Sequence, residues 1–211
     1  MAIAYNIIDL GISEFEDTWD LQKDLQSKRI LGEIDDHLLL VEHPAVYTLG
    51  KNASKEHILR ENDDVSVIQT DRGGNITFHG PGQLVGYPIL DLNFHKRSIT
   101  WYMRELEQLM IDVLIEYGIK ASRKKGLTGT WVEDQKIAAL GVRISKWVTM
   151  HGFSLNINPD LNYYQDIIPC GIEGYGVTSM AKIMGKDVPS MKEIKVKIIN
   201  NFKNRFMGVK N

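Results

Sequence analysis

Apolar positions along this chain change period several times, and the changes mark out its elements. Leu106, Leu109, Met110, Val113, Leu114 and Tyr117 recur every three or four residues. That spacing predicts a helix opened by Ser98 and stopped by Gly118. Ile194, Ile198, Ile199 and Phe202 repeat the pattern after Ser190, with Glu193 completing a capping box. Phe15, Trp19 and Leu25 mark an earlier helix that ends near Gly32, with Ser13 and Glu16 as its expected capping pair. Shorter apolar runs predict strands at residues 3–8, 37–42, 46–49, 65–70, 84–92, 127–132, 136–144 and 147–157. Pro88 has no N–H to donate, which suits residues 84–92 to an edge or a bulge. Glu133-Asp134 falls where a hairpin turn is expected.

Strands and helices alternate without a regular βαβ repeat. The expected class is therefore α+β, a mixed and largely antiparallel sheet covered by helices. No linker, repeat or low-complexity stretch divides the 211 residues, so residues 1–211 are read as one domain. Residues 185–211 form its C-terminal segment, a basic helix expected to pack on the rest. With 43% hydrophobic and 25% charged residues the chain can bury a real core. A net charge of −2 disfavours a nucleic-acid binder. The single cysteine rules out an intramolecular disulfide and suits a reducing compartment. The N-terminus lacks the look of a signal or transit peptide, and no apolar run approaches the ~20 residues that span a bilayer. A cytoplasmic protein without a membrane partner is expected.

Candidate chemistry concentrates in three places. Residues 72–83, Arg-Gly-Gly-Asn-Ile-Thr-Phe-His-Gly-Pro-Gly-Gln, hold four glycines beside an arginine and a histidine. Such a loop brings backbone close to a small polar ligand. Cys170 stands between Pro169 and Gly171, as in a turn, and is either a packed thiol or a nucleophile. Lys136 precedes the small apolar run Ile137-Ala138-Ala139-Leu140-Gly141, where it is either a surface charge or a group that pairs with a thiolate. His151 reads more readily as a structural residue than as a catalyst. No HExxH, P-loop, GxSxG or GxGxxG is present.

These residues carry a resemblance. Arg72-Gly73-Gly74 followed by Thr77-Phe78-His79, Gly82-Gln83 and Tyr87-Pro88 resembles the signature of the lipoyl(octanoyl) transferases. His43-Pro44-x-Val46-Tyr47-Thr48-Leu49-Gly50, Lys136-Ile137-Ala138, His151-Gly152-Phe153, Pro169-Cys170-Gly171-Ile172 and Gly176-Val177-Thr178-Ser179-Met180 follow in the family's order. The resemblance implies a fold similar to the biotin and lipoate protein ligase catalytic domain. It implies transfer of octanoyl from octanoyl-acyl carrier protein, through a cysteine thioester, to a lysine of lipoyl domains. Those acceptors would be 2-oxoacid dehydrogenase E2 subunits and the glycine cleavage H protein. Cys170 would be the nucleophile and Lys136 its partner and base, with no cofactor and no metal. Arg72, Gly73, Gly74, Asn75, Ile76, Thr77, Phe78 and His79 would line the acyl site, together with Ala139, Leu140, Gly141, Gly152, Phe153 and Ser154. The run Arg123-Lys124-Lys125 and the basic C-terminal segment are the expected docking charges for acidic protein substrates.

Overall fold

Strands in the middle of the chain are apolar on both faces, which requires cover on both sides of their sheet. The computed structural model describes residues 5–60, 65–168 and 175–206. The chain runs β1 (Tyr5–Ile12), α1 (Phe15–Leu31), β2 (Asp36–Glu42), β3 (Val46–Leu49), β4 (Ser66–Gln69), β5 (Ile76–His79) and β6 (Gln83–Ile89). It continues α2 (Ile99–Ile115), β7 (Ser122–Lys124), β8 (Leu127–Val132), β9 (Gln135–Ser145), β10 (Val148–Asn156), β11 (Gly176–Val177), α3 (Met180–Met184) and α4 (Met191–Phe206).

The larger sheet has the order β1-β2-β6-β10-β9-β8-β7. β1 joins β2 in parallel and the remaining neighbours along that path are antiparallel. β11 adds a parallel pairing to the start of β9, with Val177 opposite Lys136. A smaller sheet, β4-β3-β5, holds one parallel and one antiparallel pair. The expected mixed, largely antiparallel α+β architecture is the one observed.

Period-two alternation sorts the core. Leu38 and Leu40 of β2 face the layer formed by α2 and α4, together with Leu84, Ile137 and Leu155. Leu39 and Val41 face α1, with Val85, Tyr87, Ile89 and Met150. Ile194, Ile198, Phe202 and Phe206 are the buried stripe of α4, which packs on α2. The small sheet closes over its own cluster of Tyr47, Phe78, Tyr164 and Ile167.

Local signals act where expected at two helix starts. The Trp101 N–H donates to Ser98 Oγ at 3.2 Å. Ser190 and Glu193 form the reciprocal box, with Ser190 N–H to Glu193 Oε2 at 2.8 Å and Glu193 N–H to Ser190 Oγ at 3.3 Å. The pair at Ser13 and Glu16 does not form. α1 begins at Phe15 with no side-chain cap, and Ser13 is engaged elsewhere: its N–H donates to the Glu42 carbonyl and its own carbonyl accepts from His43 Nδ1. The C-terminal end of α1 follows expectation, with Gly32 at φ 75°.

Pro88 lies in an interior strand, between β2 and β10, rather than at an edge. The ladder opens there instead. β6 and β10 pair from Asn156↔Gln83 to Phe153↔Gly86, the direct bonds then lapse, and they resume where the Thr149 N–H donates to the Leu90 carbonyl at 3.0 Å. Thr149 bridges the gap: its Oγ1 donates to the Pro88 carbonyl at 2.6 Å and accepts the Leu90 N–H at 2.9 Å. Inside the opening His151 takes φ 58°, and its N–H turns to Gln22 Oε1 of α1 at 2.9 Å. A proline in a central strand is thus accommodated by a local break that re-aims one histidine.

Candidate active site

β8 pairs with β9 only as far as Ala138. Farther along β9 the glycine-rich segment approaches, and the Gly73 N–H donates to the Val142 carbonyl at 2.9 Å. That segment is itself tied to the chain after β3. The N–H groups of Gly50, Lys51 and Asn52 donate to the carbonyls of Asn75, Arg72 and Gly74 at 2.9–3.1 Å. Between the sheets lies a cavity of about 370 Å³. Its walls come from β5, β6, β9 and β10, with Phe15 of α1 and Gly126, Leu127 and Thr128 at the β7–β8 turn.

The polar side chains of this wall are held firmly. Arg72 is buried, and its Nη2 donates to the Thr48 carbonyl at 2.6 Å and to Thr48 Oγ1 at 2.9 Å, while Nη1 donates to the Gly73 carbonyl at 3.1 Å. The guanidinium therefore pins the loop to β3 and brings positive charge to the cavity. His79 Nδ1 donates to Gln83 Oε1 at 2.7 Å. Burial, reinforced by the nearby His43, lowers its pKa to about 3. His43 Nδ1 donates to the Ser13 carbonyl at 2.7 Å, so its Nε2 accepts the Tyr87 hydroxyl at 2.9 Å. Burial lowers the His43 pKa to about 4. His151 Nε2 donates to Asp71 Oδ1 at 2.8 Å, and Arg143 Nε meets the other Asp71 oxygen at 3.2 Å. Burial lowers the His151 pKa and outweighs the opposing pull of Asp71. Three neutral imidazoles therefore stand at or just behind this wall at neutral pH.

Lys136 reaches the cavity from β9. It is 8% exposed, and its Nζ lies 4.8 Å from the centre of the Trp131 ring. A desolvated ammonium over an indole face is favourably placed. Its own carbonyl accepts the Thr178 N–H at 3.0 Å, just past β11.

Most residues singled out in the sequence converge here. Arg72, Gly74, Asn75, Ile76, Thr77 and His79 line the cavity. So do Lys136, Ala139, Leu140, Gly141, Gly152, Phe153 and Ser154. Gly73 stands behind them and serves through its bond to Val142. Phe78 is a correction. Alternation along β5 sends Thr77 and His79 toward the cavity and Phe78 away from it, where it stacks on Tyr163 at 4.6 Å within the small-sheet core. Cys170 lies outside the described residues. Phe15 and Val85 also form the wall and were read in the sequence only as helix and strand core, while Tyr87, part of the signature but not named as a site residue, lines it as well. His151 lines it too, and the Pro88 break that turns it inward has no local sequence signal beyond Pro88 itself.

The expected docking run is largely committed to internal contacts. Arg123 Nε pairs with the buried Glu107 carboxylate at 3.1 Å, and Lys124 pairs with Asp134. Lys125 is exposed. In the C-terminal helix Lys195 pairs with Asp9, Lys197 with Glu116, and Arg205 with Glu105 and Asp112.

This mixed-sheet fold is shared with solved lipoate and biotin protein ligases. A bipartite lipoate protein ligase from Thermoplasma acidophilum superposes with a TM-score of 0.70 at 14% identity, covering 97% of this chain and 84% of that one. Residues 14–203 match the family model for the lipoyl protein ligase A/B catalytic domain, and the chain belongs to that family. Its curated relatives narrow the class to acyltransferases of the octanoyltransferase type. An octanoyltransferase of Gloeobacter violaceus is 47% identical over 167 residues, covering 79% of this chain and 75% of its own. One from Flavobacterium johnsoniae is 45% identical over 219 residues, covering 94% of each chain. No helix among the described residues is long and apolar enough to cross a membrane.

Proposed function

We propose that this chain is a single-domain cytoplasmic enzyme that moves an octanoyl group from octanoyl-acyl carrier protein to a lysine of lipoyl domains. In this reading Cys170 is the relay. Its thiolate attacks the donor thioester, expels the carrier's thiol and becomes S-octanoylated. The acceptor lysine amine then attacks the new thioester, forms the amide and restores the thiol. The acceptors are E2 subunits of 2-oxoacid dehydrogenases and the glycine cleavage H protein.

One observation carries the reading: the glycine-rich loop, residues 139–141, residues 152–154 and Lys136 surround a single cavity. Phe15, Val85, Tyr87 and Ala139 give that cavity apolar surface for an alkyl chain. Burying the six methylenes of an octanoyl group is worth about 5 kcal/mol. Lys136 supplies a cation that lowers a nearby thiol's pKa and, once deprotonated, a base for the acceptor amine. The tetrahedral intermediates need hydrogen-bond donors, which backbone N–H groups along residues 139–141 are suited to supply. The octanoyltransferase relatives support octanoyl transfer as the overall reaction.

The test is transfer to an isolated lipoyl domain. Octanoyl-acyl carrier protein alone is expected to modify the acceptor lysine. Modification that instead requires free octanoate and ATP, with no carrier, contradicts the proposal and points to a ligase.

A further inference from the structure

Lys136 owes its position to a neighbouring strand, and that strand owes its shape to a buried carboxylate. Glu107 lies on α2 among Leu106, Met110 and other core residues and is 2% exposed. A carboxylate so placed is costly unless it is paired and hydrogen-bonded. Glu107 is fully engaged. Its Oε2 accepts from Arg104 Nη1 at 2.7 Å and Arg123 Nε at 3.1 Å, while Oε1 accepts the Gly129 N–H at 3.1 Å. The carbonyl of the same residue accepts from Thr130 Oγ1 at 3.4 Å.

Gly129 is the point where β8 departs from regular form. It holds φ 123°, a conformation open to glycine, and the β8–β9 register shifts between Thr130 and Trp131. The flexed backbone leaves room for the lysine stem. A Cβ on Gly129 would sit 3.0 Å from Lys136 Cε, 3.3 Å from Cδ and 2.9 Å from the Ala138 carbonyl oxygen. Two residues on, Trp131 supplies the ring beneath Lys136 Nζ. One acidic side chain thus fixes the bulge that receives the stem of Lys136 and sets the indole under its ammonium.

We propose that Glu107, acting through Gly129, is a positioning residue for Lys136. It does not touch the reacting atoms. The proposal rests on the reading of Lys136 as the base of acyl transfer, and the experiment separates the two. Glu107→Gln removes the charge that faces both guanidiniums, and Gly129→Ala blocks the stem directly. Two quantities are measured in each, after the thermal midpoint is shown to exceed the assay temperature. One is the acetylation rate of Lys136 by acetic anhydride relative to exposed Lys125, read by peptide mass. The other is the single-turnover rate of octanoyl transfer from donor to lipoyl domain, with Lys136 intact and with Lys136→Met.

Both variants are expected to raise Lys136 acetylation relative to Lys125. They are also expected to slow transfer roughly 10- to 100-fold, the scale of an ångström-level misplacement. In the Lys136→Met background each should add less than about 2-fold, because the group they position is gone. Unchanged relative acetylation of Lys136 overturns the positioning role. Equal slowing in both backgrounds also overturns it, by showing that Glu107 acts on transfer independently of Lys136. If Lys136→Met alone leaves transfer unchanged, the base assignment fails, while the acetylation ratio still reports whether Glu107 positions the lysine.

Discussion

Arg72 illustrates why charge at this site is not interchangeable. Its planar fork spans the Thr48 carbonyl, Thr48 Oγ1 and the Gly73 carbonyl at once. Lysine keeps the charge but cannot bridge those acceptors. Arg72→Lys is expected to lower stability by about 1.5–3 kcal/mol, the scale of a hydrogen bond to a charged group. It should also raise KM for the acyl donor as the loop loosens. Urea unfolding paired with steady-state kinetics checks both, and an unchanged midpoint would show that the fork contributes nothing. The histidines make a second prediction. His43, His79 and His151 are all held neutral by burial, with pKa values lowered relative to the unfolded chain. The unfolded chain therefore binds protons first as pH falls below ~6.5. Stability from these groups is complete above that value and is lost toward the folded pKa values of about 4 for His43 and about 3 for His79. For His43 alone this amounts to roughly 3 kcal/mol. The thermal midpoint should drop between pH 7 and 5, before most carboxylates titrate, and a flat midpoint across that window contradicts the assignment.

At the scale of elements, the strand expected over residues 147–157 is observed as β10, and only the break in its pairing at His151 was hidden. Its helical and strand neighbours were legible because their cues are local: Ser98, the Ser190–Glu193 box, and the apolar runs of β8 and β9 need no distant partner. β5 was not legible. Its four residues sit inside a glycine-rich segment, and their pairing with β3 comes from a strand far back in the chain. Ser13 looked like a cap but was claimed by Glu42 and His43, both contacts across the fold. The cavity motifs stood out through glycine and charge, whereas Phe15 and Val85 were hidden because a wall of apolar residues has the same pattern as a core. The β6–β10 opening also yields a test. A Cβ on Gly152 would lie 2.2 Å from the Gly86 carbonyl oxygen and 2.7 Å from Pro88 Cδ, both fixed by the sheet. Gly152→Ala should destabilise the protein by about 1–3 kcal/mol or more and distort the cavity wall. An alanine variant with wild-type midpoint and wild-type transfer would show that the sheet yields there freely.

Across the whole molecule, surface charge divides into groups that hold the fold and groups available to partners. Arg123 looked like a docking residue in sequence, yet it partners a buried carboxylate; that role depends on α2 coming to lie beside β7, which no local pattern reveals. Arg123→Gln should lower the thermal midpoint, by about 1–3 kcal/mol of stability given the charge it leaves on Glu107. Lys125→Gln should leave the midpoint alone and raise KM for the protein substrates at low ionic strength. Equal midpoints for the two variants would erase the distinction. The central claim, however, concerns chemistry rather than stability: that one thiol carries the acyl group between two proteins. Intact mass of the protein mixed with octanoyl-acyl carrier protein, followed by peptide mapping and a chase with lipoyl domain, tests it most directly. The expected result is a gain of one octanoyl group on Cys170 that disappears as the acceptor lysine is modified. Transfer that proceeds with no acyl-enzyme under single-turnover conditions, and that persists in Cys170→Ala, would contradict the account.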